Sequence, residues 1–273
     1  MNKVMIIGGS DSGGGAGIQA DLKTVTALGV YGTTVITAIT AQNTLGVQSV
    51  HATPYSSVSE QIDSIMSDMG TDAVKTGMLL NDEIVGAVSR KIKEYQLDSV
   101  VVDPVLCAKD GSALLAGDAA VKRLVSELLP LAAIVTPNIH EAGVLSGVSI
   151  NRPEHVKEAA QSLRGMGAKN VLIKGGHAPE DWPSVKKGVV EDLFYDGNNF
   201  RQLVSPRVDT GNAGGVHGSG CTLASAIAAG LARGKGVEGA ILFAKKFLND
   251  IIANNFRIGR GNNVLDPSGY KKG

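Results

Sequence analysis

The chain has 273 residues, and its 26 lysines and arginines balance its 26 aspartates and glutamates, so the formal net charge is zero. Nucleic-acid-binding and membrane-surface proteins usually carry a basic excess or patch, and this balance argues against both. The two cysteines, Cys107 and Cys221, are far apart and predict neither a disulfide framework nor, without a Cys/His cluster, a zinc site. No apolar run is long enough to span a bilayer and no signal-peptide pattern is present, so we expect a cytoplasmic protein.

Short apolar runs alternate with amphipathic segments along the chain. In chain order the predicted elements are strand Val4–Ile7, helix Ala16–Leu28, strands Thr33–Thr40 and Val47–His51, helix Val58–Met69, strand Ala73–Thr76, helix Asp82–Tyr95, strand Ser99–Val102, helix Asp118–Leu129, strand Ala133–Thr136, helix Pro153–Met166, strand Asn170–Lys174, hairpin Gly188–Phe194 and Phe200–Val204, and helix Val237–Phe256. The tail from Gly259 onward is predicted to be loose. The alternation predicts one doubly wound α/β domain over residues 1–273 with a mostly parallel sheet.

The stretch Val216–Thr222 has the most distinctive chemistry. Gly218, Ser219 and Gly220 lead into Cys221, and an Ala-rich run that favours a helix follows. Glycines let backbone N–H groups approach a ligand, and a helix start adds unpaired N–H groups and the positive end of the helix dipole. We therefore predict that this stretch, the anion seat, holds a phosphate beside a thiol whose ionised form is favoured. A plain helix start with a small core cysteine is the alternative.

A glycine-rich loop, Ser10–Gly17, follows the first predicted strand. No Gly-Lys-Ser/Thr sequence follows its glycines, which excludes a P-loop. The glycine spacing departs from GxGxxG, and no acidic residue ends a second strand at the required distance, which argues against dinucleotide binding. A turn that packs close to the sheet explains the glycines equally well. The loop does place Asp11, Gln19 and Asp21 near the carboxyl end of a strand, the edge at which open α/β sheets bind ligands.

Polar side chains follow later strands at the same edge. Gln42 offers a donor and an acceptor that suit a heterocycle edge, although a turn amide is an equal alternative. Asp103 follows a buried strand, where a carboxylate can hold Mg²⁺ or belong to an ordinary Asp-Pro strand end. Asn138 and Glu141 lie three residues apart at a helix start and suit either a Mg-triphosphate or plain helix capping. Lys174 ends the next strand, where a lysine can contact a nucleotide phosphate.

Short runs in unbroken order match a known family. These runs are Gly9–Lys23, Leu28–Gly32, Thr40–Thr44, Lys75–Leu79, Asp103–Val105, Thr136–Asn138, Lys174–His177 and His217–Leu223. Through them the chain resembles the hydroxymethylpyrimidine and phosphomethylpyrimidine kinases of thiamine biosynthesis, within the ribokinase-like superfamily. Each run alone is weak, but the ordered set covers nearly the whole chain and is specific.

The resemblance implies a three-layer α/β/α sandwich with a mostly parallel central sheet and a small flap over the substrate, often as a homodimer. It implies ATP-dependent phosphorylation of the pyrimidine hydroxymethyl group, and then of the monophosphate to the diphosphate. The implied site residues are Gly9, Asp21, Gln42 and Met78 around the pyrimidine, Cys221 as catalytic base, Asp103 and Glu141 near Mg²⁺, and Lys174 near the nucleotide phosphates. In the anion seat, we expect the N–H groups of Gly218, Ser219 and Gly220 to cradle the transferring group.

The chain departs from the family pattern in two places. Between Asp209 and His217 it has a longer Gly-rich piece than the family usually has, so no role is assigned to Thr210–Val216. Cys107 lies one residue before the position at which some pyridoxal kinases carry a second reactive cysteine. We expect Cys107 to make an apolar contact instead.

Three other functions compete with this interpretation. A pyridoxal or pyridoxine kinase is the nearest, because its substrate is also a hydroxymethyl heteroaromatic, and one enzyme can have both activities. A non-catalytic nucleotide or vitamin sensor predicts a disabled Cys221 or anion seat, whereas both look intact in the sequence. A dinucleotide oxidoreductase predicts nicotinamide binding, which we do not expect.

Overall fold

The computed structural model describes residues 1–107, 111, 114–211 and 216–270. The strands are β1 (Lys3–Asp11), β2 (Tyr31–Asn43), β3 (Gly46–Ala52), β4 (Ala73–Thr76), β5 (Val100–Val102), β6 (Ile134–Val135), β7 (Val171–Ile173), β8 (Val189–Tyr195), β9 (Phe200–Pro206), β10 (Val216–His217) and β11 (Asn263–Val264). The helices are α1 (Gly17–Ala27), α2 (Tyr55–Asp68), α3 (Asp82–Glu94), α4 (Gly117–Arg123), α5 (Ile139–Ser146), α6 (Glu154–Gly165), α7 (Pro183–Lys186), α8 (Ser219–Ala232) and α9 (Val237–Ile252). One π turn (Leu124–Leu128) and a 3-10 turn (Leu129–Leu131) continue α4.

The central sheet of the described residues has the strand order β3-β2-β1-β4-β5-β6-β7-β8-β9. The strands from β2 to β7 run parallel, whereas β3 pairs antiparallel with β2 at one edge and β8 and β9 pair antiparallel at the other. A two-stranded parallel ladder of β10 and β11 lies apart from this sheet. The predicted strand Val47–His51 and the predicted hairpin are therefore confirmed as β3 and as β8 with β9.

Helices cover both faces of the sheet, and β1 shows how the sequence specifies this. Met5 and Ile7 point into a core formed with α2, α3, α5 and α6, whereas Val4 and Ile6 point into a second core formed with α1, α8 and α9. A strand buried on both faces reads as a continuous apolar run, which is the pattern that Val4–Ile7 shows. The predicted three-layer α/β/α fold is confirmed. Within the described residues, no helix combines the length and apolar character needed to cross a membrane.

Two strands run further into the ligand-binding edge than the sequence indicates. The apolar run ends at Ile7, but β1 continues to Asp11 because its register against β2 shifts between Gly8 and Gly9. This irregularity keeps the glycine pair within the sheet. β2 continues to Asn43 because β3 pairs with its far end. The extensions place the first residues of the glycine-rich loop and Gln42 on strands.

The C-terminal tail is held in place up to Tyr270, so the prediction of a loose tail is wrong for this part. β11 pairs with β10, directly before the anion seat. The N–H of Asn262 donates to the carbonyl oxygen of Thr44 at 2.8 Å, next to the β2–β3 turn. The ring of Tyr270 packs edge-on against Phe247 with centroids 4.7 Å apart. The sequence gives little sign of this, because a two-residue strand is too short to show periodicity.

Candidate active site

One cleft, with a volume of about 1830 Å³, contains every residue that the resemblance or the anion seat assigned to the site. Pockets for a single small ligand usually measure about 300–1,000 Å³, so this cleft has room for two ligands side by side. Its floor is the edge at which the parallel strands end, where doubly wound sheets bind ligands. The sequence-based interpretation therefore selected residues that share one cleft.

Two helix N-termini meet at the sulfur of Cys221. α8 starts at Ser219, so the thiol lies in its first turn, as predicted for the anion seat. α1 starts at Gly17, and the N–H of Gly17 hydrogen-bonds the Cys221 sulfur. The unpaired N–H groups of a helix start attract anions, and here Gly218 and Gly220 also line the cleft.

Gly218 allows the chain to enter α8 in this way. Its φ is 83°, a left-handed conformation, and a Cβ atom at this position would lie 1.9 Å from the carbonyl oxygen of Gly15. Two loops therefore touch backbone to backbone at this point, which only glycine permits. The contact ties the glycine-rich loop after β1 to the anion seat.

We expect Gly218→Ala to lower the free energy of unfolding by about 2 kcal/mol or more and kcat by at least about tenfold, because the loops must separate and the seat lose its shape. Gly239→Ala is the matched control. Gly239 lies inside α9, and a Cβ there would meet only Lys235 at 4.0 Å, so this change should be neutral or slightly stabilising. Urea unfolding and steady-state kinetics on both variants measure the effect. Equal behaviour of the two variants would contradict it.

The Cys221 thiol lies in a more desolvated place than the sequence indicates. Burial raises its pKa to about 11, and the Asp21 and Asp103 carboxylates act in the same direction. The ammonium of Lys75 and the N–H of Gly17 oppose them without reversing the shift. The expectation that the helix start would favour the thiolate is therefore wrong here, because desolvation and two nearby anions outweigh the helix terminus.

A buried ion pair lies beneath the thiol. Lys75 and Asp21 are 1% and 0% exposed, and their Nζ and Oδ2 atoms are 2.7 Å apart. The hydroxyl of Ser225 on α8 donates to the other oxygen of Asp21 at 2.7 Å. The Asp21 carboxylate raises the pKa of Lys75 against the opposing effect of burial, so the ammonium stays charged. Both oxygens of Asp21 thus have partners within the protein, and a direct contact with the pyrimidine stays a prediction.

The residues predicted to contact the pyrimidine line the cleft. A Cβ at Gly9 would lie 2.9 Å from the sulfur of Met78, so these two residues are in tight contact. The carbonyl oxygen of Met78 accepts a hydrogen bond from Thr37 at 2.6 Å, which fixes the segment after β4. The side-chain amide of Gln42 lies 2.8 Å from Nε2 of His217. Together with Cys221 they line the cleft, and we call Gly9, Gln42 and Met78 the ring subsite.

Asp103 and Lys174 form a second ion pair, in which the carboxylate is buried and the lysine is partly exposed. Nζ of Lys174 lies 2.7 Å from Oδ1 of Asp103, and the hydroxyl of Thr136 donates to the same oxygen at 3.0 Å. Burial acts to raise the pKa of Asp103, but Lys174 and Lys75 outweigh it and hold that pKa below its ordinary value. A Cβ at Gly220 would lie 3.3 Å from Nζ of Lys174, so the ammonium lies over the start of α8.

The sequence leaves two roles open for Asn138 and Glu141, helix capping and contact with a Mg-triphosphate, and the position of Glu141 suits both. Asn138 and Glu141 form a reciprocal capping box, in which the N–H of Glu141 donates to Oδ1 of Asn138 at 2.9 Å and the N–H of Asn138 donates to Oε2 of Glu141 at 2.8 Å. Capping by Asn138 is therefore confirmed. The Glu141 carboxylate also faces the cleft, where burial and the charge of Asp103 raise its pKa to about 6 against the attraction of Lys174.

This raised pKa makes a prediction about stability. Because the folded carboxyl binds its proton more tightly than its ordinary value of 4.5 allows, the ionised form costs about 2 kcal/mol of folding free energy above pH 6. Gln keeps the capping box but carries no charge. We therefore expect Glu141→Gln to be more stable than the parent protein by about that amount at neutral pH, and the difference to vanish as pH falls below about 4.5. Urea unfolding without Mg²⁺, at neutral pH and below about pH 4.5, measures this difference in stability. A difference that does not change with pH would contradict the prediction.

The donor set at Asp103 and Glu141 fits Mg²⁺. In the described residues no cluster of three or more His, Cys, Asp or Glu side chains could hold a metal by itself. Mg²⁺ commonly uses one or two carboxylates and completes its octahedron with water and substrate phosphates. The Asp103 and Glu141 carboxylates influence each other's pKa and line the cleft beside the anion seat. These two carboxylates therefore fit a Mg²⁺ site that water and substrate phosphates would complete.

Sequence reasoning missed two residues and misplaced a third. Lys75 and His217 received no role, although a lysine inside the apolar strand β4 is itself a sign of a buried charge partner. Cys107 is exposed and lines the cleft, so the expected apolar contact is wrong. Leu106 occupies the buried position and the next residue turns outward. Of the departure at Thr210–Val216, residues 212–215 lie outside the described residues.

The start of α8 and the residues predicted to contact the ring share one cleft of a doubly wound sheet, as expected for a small-molecule kinase with the ribokinase-like fold. A family model described as phosphomethylpyrimidine kinase matches residues 11–266. The chain therefore belongs to the phosphomethylpyrimidine kinase family and is a phosphotransferase.

Individual relatives agree with this assignment. The chain is 43% identical over 270 residues to the hydroxymethylpyrimidine/phosphomethylpyrimidine kinase of Bacillus subtilis, with 99% of this chain and 96% of that protein covered. It is 48% identical over 263 residues to the thiamine biosynthesis bifunctional protein ThiED of Geobacter sulfurreducens, covering 96% of this chain but only 51% of the longer protein. The structure of the Staphylococcus aureus pyridoxal kinase in complex with AMP-PCP and pyridoxal superposes with a TM-score of 0.87 at 34% identity, covering 100% and 96% of the two chains.

Proposed function

We propose that the chain phosphorylates 4-amino-5-hydroxymethyl-2-methylpyrimidine with ATP, and then phosphorylates the resulting monophosphate to the diphosphate, in thiamine biosynthesis. The observation that carries this proposal is the position of Cys221. The thiol lies at the meeting point of two helix starts, in the cleft that also contains Gly9, Met78 and Gln42 and the Asp103–Lys174 pair. A ring alcohol at the first group of residues and a nucleotide triphosphate at the second would meet at the anion seat.

The residues divide the chemistry between them. The N–H groups of Gly218, Ser219 and Gly220 hold the oxygens of the transferring phosphoryl group, and Lys174 neutralises part of its charge. The bond that forms joins the hydroxymethyl oxygen to the γ-phosphorus, the bond that breaks releases ADP, and the hydroxyl proton passes to the sulfur of Cys221 in its thiolate form. Phosphoryl transfer is mostly positioning and charge stabilisation, so a base that is rarely ionised at neutral pH can serve.

We propose Asp103 and Glu141 as the residues that hold Mg²⁺. When bound, the ion would neutralise charge on the nucleotide phosphates and help to orient them. The pairing of Asp103 with Lys174 keeps that carboxylate ionised. Glu141, whose pKa burial raises to about 6 without the ion, would be the other carboxylate ligand.

Pyridoxal is the second candidate substrate. The likeness to a pyridoxal kinase extends over the whole of this chain, and both substrates carry a hydroxymethyl group on a heteroaromatic ring. The subsite favours the pyrimidine, because the donor and acceptor of Gln42 suit an adjacent amino group and ring nitrogen.

One experiment compares these substrates. The protein is incubated with Mg-ATP and, in turn, hydroxymethylpyrimidine, its monophosphate and pyridoxal, and the phosphorylated products are scored. We expect product from both pyrimidines at higher kcat/KM than from pyridoxal. Phosphate transfer to none of the three would refute the proposal, and a clear preference for pyridoxal would establish the second candidate instead.

We further propose that the protein acts as a homodimer in the cytoplasm, on the basis of the family resemblance. Sedimentation at micromolar concentration tests the first point, and a monomer would contradict it. Fractionation of cells that produce the protein tests the second.

A further inference from the structure

The imidazole of His217 lies between a carboxylate and an amide. Its Nε2 atom is 2.8 Å from the side-chain amide of Gln42 and 3.4 Å from Oδ2 of Asp11. Asp11 is buried and His217 is largely buried. The ring is tightly held, because a Cβ at Gly15 would lie 2.8 Å from Cδ2 of His217 and 3.0 Å from Val264. One ring nitrogen therefore faces both neighbours at once.

The hydrogen bonds of Thr40 indicate how the Gln42 amide is oriented. The Thr40 hydroxyl has one proton, and it lies 2.9 Å from the carbonyl oxygen of Ser10 and 3.2 Å from the amide end of Gln42. The Ser10 carbonyl can only accept, and it is the nearer partner, so it receives the proton. The Gln42 atom facing Thr40 must then be the donor. Amide oxygen and nitrogen are nearly identical in shape, and their assignment follows the network, so the NH₂ group faces Thr40.

The other end of the amide, its carbonyl oxygen, then faces Nε2 of His217. Two acceptors surround that nitrogen, the Gln42 oxygen and the Asp11 carboxylate, so Nε2 must carry a proton. Asp11 is held as an anion, because its oxygens accept from the N–H groups of Gly13, Gly15 and Ala16 at 2.8–3.0 Å. A bare Nε2 lone pair would instead point at this charge.

We propose that His217 is a positioning residue that fixes the orientation of the Gln42 amide by donating its Nε2 proton, and thereby determines which heterocycle edge the enzyme accepts. With the amide fixed, Gln42 presents a carbonyl lone pair on the His217 side and an N–H on the Thr40 side. An aminopyrimidine has an amino donor beside a ring-nitrogen acceptor. In one orientation its amino group donates to the Gln42 carbonyl oxygen while its ring nitrogen accepts from the Gln42 N–H. A ring without the amino group leaves the carbonyl oxygen unpaired, which costs affinity. This inference rests on the proposed function, in which Gln42 contacts the ring.

The kinetic test compares His217→Leu with His217→Gln. Leu has no donor, so only the longer contact with Thr40, at 3.2 Å, still holds the amide, and the opposite orientation becomes accessible. Gln places an amide N–H near the position of Nε2 and can donate to both acceptors. We expect His217→Leu to raise the KM for hydroxymethylpyrimidine about tenfold or more, to raise the KM for ATP by a clearly smaller factor, and to narrow the preference over pyridoxal. His217→Gln should restore most of the pyrimidine KM. Equal KM values for hydroxymethylpyrimidine in both variants would overturn the proposal, as would a KM for ATP that rises by the same factor.

A second measurement needs no turnover. Nitrogen-15 NMR of the histidine rings in the parent protein reports which ring nitrogen of His217 carries a proton, and His217→Gln identifies its signals. We expect Nε2 to be protonated, whether the ring is neutral or cationic. A bare Nε2 would refute the proposal even in an active kinase. A protonated Nε2 in a protein that phosphorylates no pyrimidine would instead refute the proposed function alone.

Discussion

Replacing Cys221 with alanine is expected to lower kcat by about 10²–10⁴-fold, the usual contribution of a positioned general base, while ATP and the pyrimidine still bind. The change removes only the sulfur, so the anion seat and both subsites keep their shape. Steady-state kinetics measure the first effect and titration calorimetry the second. A turnover near that of the parent protein would rule out Cys221 as the base. Loss of binding would show that the cysteine is structural.

The pH dependence separates a base from a simple packing role. Because burial raises the pKa of the Cys221 thiol to about 11, the ionised fraction grows throughout the neutral and alkaline range. We expect kcat of the parent protein to rise with pH between about 7 and 9, and the residual kcat of Cys221→Ala to be flat there. Parallel profiles would show that another group supplies the pH dependence.

The second large effect is expected at the Lys75–Asp21 pair. Lys75→Met leaves the Asp21 carboxylate buried without its cation, and breaking a buried pair in this way typically costs about 3–5 kcal/mol. The hydroxyl of Ser225 satisfies only one oxygen of Asp21. Urea unfolding gives the loss in the free energy of unfolding.

Two matched variants identify the cause of that loss. Lys75→Met with Asp21→Asn removes both charges, and it should be clearly more stable than Lys75→Met alone. Lys169 and Asp98 form an exposed pair at 4.0 Å, so Lys169→Met should change stability by less than about 0.5 kcal/mol. A cost for Lys75→Met as small as that of Lys169→Met would show that Asp21 does not need its partner.

The layers of the fold follow from local sequence patterns. A run such as Val4–Ile7 is apolar on both faces, and an amphipathic segment such as Asp82–Tyr95 is apolar on one, so strands and covering helices are recognisable separately. The start of α8 is equally local, since Gly218 permits a left-handed turn and the residues after Cys221 favour a helix. For this reason the anion seat is visible in the sequence.

The electrostatics of the site depend on residues that are distant in sequence. Lys75 meets Asp21 across 54 residues and His217 meets Gln42 across 175, and no spacing rule predicts either contact. The raised pKa of Cys221 also depends on residues that are distant in sequence. The helix start is visible locally, but the desolvation and the carboxylates that outweigh it come from other strands and helices. The β10–β11 pair likewise joins segments that are distant in sequence, because Val216 pairs with Asn263 and His217 with Val264.

A crystal structure of the Cys221→Ala protein with AMP-PCP and hydroxymethylpyrimidine tests the central claim most directly. The account predicts that the terminal phosphate accepts hydrogen bonds of about 3 Å from the N–H groups of Gly218–Gly220, and that the hydroxymethyl oxygen lies between this phosphate and residue 221. A terminal phosphate held elsewhere in the cleft, or a pyrimidine whose hydroxymethyl group points away from residue 221, would contradict it.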